Sequence, residues 1–91
     1  MAVTGSRTYQ DVGAVLREAL PVGNDGAGVV DHFVSYGVWD QALLELLAIF
    51  SVDEIALPAD VRELVQEFAA QDGIFWKNKR RILYYLDDIP E

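Results

Sequence analysis

The sequence predicts an all-α fold: a small bundle of four or five helices around a buried central helix. Three observations predict it. Every apolar segment repeats at helical spacing, and none alternates with the period of two that a half-buried strand requires. One stretch, residues 37–50, has ten apolar residues among the thirteen that follow Gly37, with no Pro and no second Gly. The segments on either side of it carry apolar stripes on one face only and are separated by Gly, Pro, Asn and Asp.

Within the central stretch, Leu43, Leu46, Leu47 and Phe50 follow the i, i+3, i+4, i+7 spacing of a helix face. Val38, Trp39, Ala42 and Ile49 widen that face. Only Gln41 and Glu45, with Asp40 beside them, leave a thin polar stripe. A helix apolar nearly all round is buried among other elements. The run is too short, and carries too much charge at Asp40 and Glu45, to be a membrane span.

In chain order, residues 1–6 are expected to be a flexible tail and residues 7–91 a single helical domain. Thr8 or Ser6 caps the first helix. Tyr9, Val12, Leu16, Ala19 and Leu20 share one of its faces, Gly13 weakens it by about 1 kcal/mol relative to Ala, and Pro21 ends it. Asn24 or Asp25 is expected to cap a short second helix over about residues 27–36, with Val30, Phe33 and Val34 inward. Gly37 closes that helix in a left-handed conformation and makes a tight corner with the central helix. Residues 51–57 read either as an extension of the central helix or as a loop. Pro58 suits the first turn of a new helix, on which Val61, Leu64, Val65, Phe68 and Ala69 form the inner stripe and Arg62, Glu63, Gln66 and Glu67 the wet face. Asp72-Gly73 is a stop. The last helix covers about residues 75–86, with Phe75, Ile82, Leu83 and Leu86 inward, joined by Trp76, and Lys77, Lys79, Arg80 and Arg81 outward. Leu46 and Phe68, at the middle of their stripes, are expected in the core.

A domain of 91 residues buries about 60–65% of the surface its unfolded chain exposes, enough for one modest core. At 52% hydrophobic, the composition excludes a wholly disordered chain. Without cysteine there is no disulfide framework, no thiolate nucleophile and no cysteine-zinc site. The first residues do not resemble a signal peptide, so a cytoplasmic protein is expected.

The net charge of −8 is unevenly distributed. Residues 18–72 hold eleven acids and one base, Arg62, whereas four cations crowd into positions 77–81. An acidic field repels nucleic acid and membrane phosphates and attracts a basic partner; it also keeps a small protein soluble. Neither nucleic acid nor a membrane is therefore expected as a partner.

Catalytic chemistry is not expected. His32 is the single histidine, beside Asp31 on a short helix, and reads as a surface residue. Ser35 lies three residues from it without a third group for a triad. Asn24-Asp25-Gly26 lacks the first ligand and the terminal Glu of a calcium loop, and Gly23 and Gly26 lack the Lys of a phosphate loop. No metal and no cofactor follow from these residues. Acyl carrier proteins share the size and charge, but neither Ser35 nor Ser51 lies in the Asp-Ser-Leu context they need.

Gly37-x-Trp39-x-x-Ala42-Leu43-x-x-Leu46 resembles the middle of the MafI-like family of small bacterial immunity proteins, over about residues 31–86. Val38 stands where that family tends to have Glu. The resemblance implies an acidic helical protein that binds and neutralises a cognate toxin with a basic cleft. The alternative is a small helical adaptor or regulatory subunit with another partner. The residues expected to meet a partner are Asp31, Tyr36, Trp39 and Asp40 at the corner before the central helix, with Asp53 and Glu54 at its far end. Tyr and Trp are enriched among interface hot spots, and Asp is rarely buried unpaired. Trp39 also has a competing reading as core.

Overall fold

Helical periodicity becomes five helices in the structure, a computed structural model that describes residues 7–90. They are α1 (Tyr9–Ala19), α2 (Ala27–Ser35), α3 (Trp39–Val52), α4 (Ala59–Ala69) and α5 (Trp76–Asp88), with no strand among the described residues. The expected tail over residues 1–6, the cap at Ser6 and the terminal Glu91 lie outside the described residues.

α1 starts where the sequence places a cap. The Thr8 hydroxyl accepts from the Asp11 backbone N–H at 3.1 Å, and the Asp11 carboxylate accepts from the Thr8 N–H at 2.9 Å. This reciprocal pair satisfies two orphan donors. α1 stops one residue before Pro21, with Leu20 as its extended C-cap.

α3 is the hub. Ala42, Leu43, Leu46, Leu47 and Phe50 are fully buried, and Leu44 and Ile49 nearly so. α1, α2 and α5 pack directly on α3, while α4 packs on α1 and α5. The surrounding helices contribute Val12 and Leu16 from α1, Val30 from α2, Val65 and Phe68 from α4, and Ile82 and Leu86 from α5. Leu46 and Phe68 are core residues, as expected. Each such side chain contributes about 1.5–3 kcal/mol through burial. Tyr9 meets Phe68 edge to face at 5.0 Å, and its hydroxyl accepts from the Asn78 amide at 3.0 Å, so one ring joins α1 to both α4 and α5.

The corners are made by backbone. Gly37 has a φ of 73°, and the N–H groups of Gly37 and Val38 reach back to the carbonyls of Val34 and Phe33 at 2.9 and 3.0 Å. This is the left-handed closure expected after α2. The open segment divides between its two readings: Ser51 and Val52 extend α3 and residues 53–57 form a turn and loop, in which Glu54 takes a φ of 53° so that the Ile55 N–H reaches the Phe50 carbonyl at 2.9 Å.

Three expectations are corrected. Neither Asn24 nor Asp25 caps α2; Gly26 is the N-cap without a side-chain bond, and the Asn24 side-chain Oδ1 instead accepts from the Gly26 N–H at 2.8 Å within the loop. Phe33 and Val34 pack against the core from α2 as expected, though each stays half-buried. Phe75, Trp76 and Leu83 are exposed rather than inward, because Phe75 precedes the helix and the buried side of α5 is no wider than Ile82 and Leu86. Arg62 leaves the wet face of α4. Its guanidinium donates to the carbonyls of Leu86 at 2.8 Å, Ile89 at 2.6 Å and Pro90 at 3.1 Å. α5 has no basic residue in its last turn, and a cation from α4 takes that place at the negative end of the helix.

Gly13 has a packing role that its helix-weakening effect conceals. A Cβ built there would lie 2.8 Å from Cε3 of Trp39, whose ring rests on the helix at this point. Gly13→Ala gains about 1 kcal/mol of helix propensity and costs about 1–3 kcal/mol of overpacking, so a net loss of stability is expected. Gly28, also helical, has nothing within 4 Å of its Cβ position. Gly28→Ala should stabilise by about 0.4–1 kcal/mol. Thermal melting of the two variants, shifting in opposite directions, checks this; a rise for Gly13→Ala contradicts it. Arg62→Ala removes three charge-assisted bonds and is expected to cost about 1.5–3 kcal/mol. It should also release amide protection at Ile89 before that of Leu46 in hydrogen exchange.

Candidate partner-binding surfaces

The six residues expected to meet a partner fall into two groups at opposite ends of α3. At a rise of 1.5 Å per residue, its 14 residues separate them by about 20 Å. Asp31 lies on α2, exposed but tied: Arg17 Nε donates to Oδ1 at 2.9 Å and Nη2 to Oδ2 at 3.1 Å. The Arg17 hydrogen bonds hold the Asp31 carboxyl below its ordinary 3.8, and Asp31 in turn raises Arg17. Tyr36, the C-cap of α2, is 72% exposed and lies edge to face with His32 at 5.0 Å. Trp39 opens α3 half-buried against Gly13. Asp40, half-buried in the first turn, complements the positive end of the helix dipole.

At the far end, Asp53 is the exposed C-cap of α3 and accepts from the Asn24 amide at 3.1 Å. Glu54 is exposed beside it in the left-handed turn. The Asn24–Asp53 bond draws the α1–α2 loop over the outer side of α3 and frames an open cleft of about 510 Å³. Asp25, Glu45 and Asp53 place carboxylates around it; Ala48, Ile49 and Val52 form its apolar floor. Val52 is 77% exposed.

Glu45, Asp25 and Val52 were missed as site residues. The signal for two of them lies in the spacing: Glu45, Ala48 and Val52 follow Gln41 at i+4, i+7 and i+11 and so share the side of α3 that bears the polar stripe. Asp25 carries no such signal, because only the folded loop brings it to α3. The acidity of this side is not softened by Arg62, which turns inward. Among the described residues the one ion pair is Arg17–Asp31.

The other surface lies on α5, where Trp76 on one side and Tyr84 and Tyr85 on the other flank Lys77, Arg80 and Arg81 around a cleft of about 530 Å³. Elsewhere the chemistry is sparse. His32 is exposed, and the Ser35 hydroxyl donates to its backbone carbonyl at 2.7 Å rather than to its ring. Among the described residues, no group of three or more His, Asp or Glu is placed to hold a metal ion. No helix among them is long and apolar enough to cross a membrane. The chain matches no protein-family model, no curated protein and no solved structure.

The Arg17–Asp31 pair makes a pH prediction. A depressed carboxyl in the folded state contributes stability above the ordinary 3.8 and loses it as the pH falls through the lower folded value. Carbon-13 NMR titration should find Asp31 below its ordinary value in the parent and back at it in Arg17→Ala. An Asp31 midpoint unchanged by the substitution means that the pair does not hold in solution.

Proposed function

We propose that this chain is a small cytoplasmic, non-catalytic binding protein that neutralises a basic partner, in the manner of a bacterial immunity protein. The observation that carries the reading is the cleft beside α3, where Asp25, Glu45 and Asp53 surround an apolar floor with an exposed Val52. Carboxylates at the rim steer a cationic surface, and their field raises association rates by about 10–10³ at low salt. The apolar floor supplies short-range contact once the surfaces meet. The likeness of Gly37-x-Trp39-x-x-Ala42-Leu43-x-x-Leu46 to MafI-like immunity proteins supports the same reading and suggests a toxin with a basic cleft as the partner.

A second reading, a helical adaptor, draws support from α5, whose cationic and aromatic face gives the domain a second surface of opposite charge. In that case the acidic side serves solubility.

The test is rescue. Growth should be restored when this chain is co-expressed with the product of the gene immediately upstream, and the two should co-purify. Glu45→Lys with Asp53→Lys should slow association by about tenfold at low salt and flatten its salt dependence, with circular dichroism unchanged. Absence of rescue removes the immunity reading; rescue and rates untouched by the double variant move the interface away from this cleft.

A further inference from the structure

Helix α5 presents a face that the bundle does not use. Ile82 and Leu86 turn into the core, whereas Trp76, Lys77, Arg80, Arg81 and Tyr84 follow one another at i, i+1, i+4, i+5 and i+8 on the outside. Trp76 is 55% and Tyr84 74% exposed, and the two rings flank the cations along the cleft. Lys77 Nζ already lies 5.5 Å from the Trp76 ring centroid, a cation–π contact that organises one end. None of these cations has a carboxylate at ion-pair distance among the described residues. Exposed rings flanking unpaired cations mark a surface made for contact.

We propose that this face of α5 docks an acidic peptide segment of a protein partner. Charge complementarity selects the sign. Arg80 and Arg81 offer planar donor forks that match carboxylates two bonds at a time, and Lys77 adds a point charge. Trp76 and Tyr84 give the peptide's apolar side chains flat surfaces to cover.

Length selects a peptide over a nucleic acid strand. The 13 residues of α5 span about 20 Å, which an extended peptide of about six residues covers. A longer polyanion runs off the helix onto a molecule only 39 × 31 × 25 Å across, whose residues 18–72 hold eleven acids and an Arg62 that is turned inward. A peptide carries carboxylates only where the cations are. This docking is independent of the acidic cleft beside α3.

Fluorescence anisotropy tests it, with a labelled Glu-Glu-Phe repeat peptide of about ten residues, a Lys-Lys-Phe control and a single-stranded oligo(dT) of similar charge. The acidic peptide is expected to bind saturably, more weakly as salt rises, and the Lys peptide not to bind at α5. Arg80→Glu with Arg81→Glu, and separately Trp76→Ala with Tyr84→Ala, should each raise Kd about tenfold or more with far-ultraviolet circular dichroism unchanged. Both pairs are exposed, so neither substitution removes a core side chain. Glu45→Lys with Asp53→Lys should leave the acidic peptide bound, which separates this result from that for the other cleft. No saturable binding at low ionic strength, equal binding by both α5 variants, or tighter binding of oligo(dT) than of the peptide overturns the proposal.

Discussion

Desolvation of α3 is the constraint on which the rest depends. With Leu43, Leu46, Leu47 and Phe50 fully buried and Leu44 and Ile49 nearly so, this helix needs apolar cover on most of its circumference. α1, α2 and α5 supply it, and α4 braces the assembly by packing on α1 and α5. The one strip left open follows Gln41, Glu45, Ala48 and Val52, and there the cleft forms. The same residue pattern that drives folding thus decides where α3 meets solvent.

The placement of cations shapes the rest of the surface. Arg17 is committed to Asp31, and Arg62 is committed to the carbonyls at the end of α5. The four remaining cations of the last helix are unpaired among the described residues. Screened by salt, the field of a surface charge falls off over about 8–10 Å, so a body 39 Å long can carry surfaces of opposite sign without their fields cancelling.

Much of the fold was legible in the sequence, because helical periodicity is a local signal. The capping box at Thr8, the corner at Gly37 and the burial of Leu46 and Phe68 all follow from neighbours a few residues apart. Arg62 was not legible, since its acceptors lie 24–28 residues on and are backbone carbonyls, which carry no sequence identity. Phe75 and Leu83 were placed inward because apolarity alone does not say how wide a buried stripe is. For the candidate surface, Asp53 was found at the rim of the cleft, Glu45 was visible only as part of a polar stripe, and Asp25 reaches α3 through a loop whose shape depends on the Asn24 side chain. Gly13 and Trp39 lie 26 positions apart, and their contact belongs to the packing of α1 on α3, which no local pattern specifies.

The shortness of α2 has a consequence for cooperativity. This helix has nine residues, no side-chain cap and no acid in its first turn, and a single fully buried side chain, Val30. Isolated helices shorter than about 12–15 residues are marginal in water, so α2 borrows its helicity from the seat of Val30 on α3, from the Gly37 closure and from the exposed Arg17–Asp31 pair. Opening α2 uncovers Val30 with Ala27, Phe33 and Val34 and the side of α3 they cover, so its folding is coupled to that of the core. A partner seated at the Tyr36–Trp39 corner therefore acts on a helix whose stability comes from packing and not from its own caps.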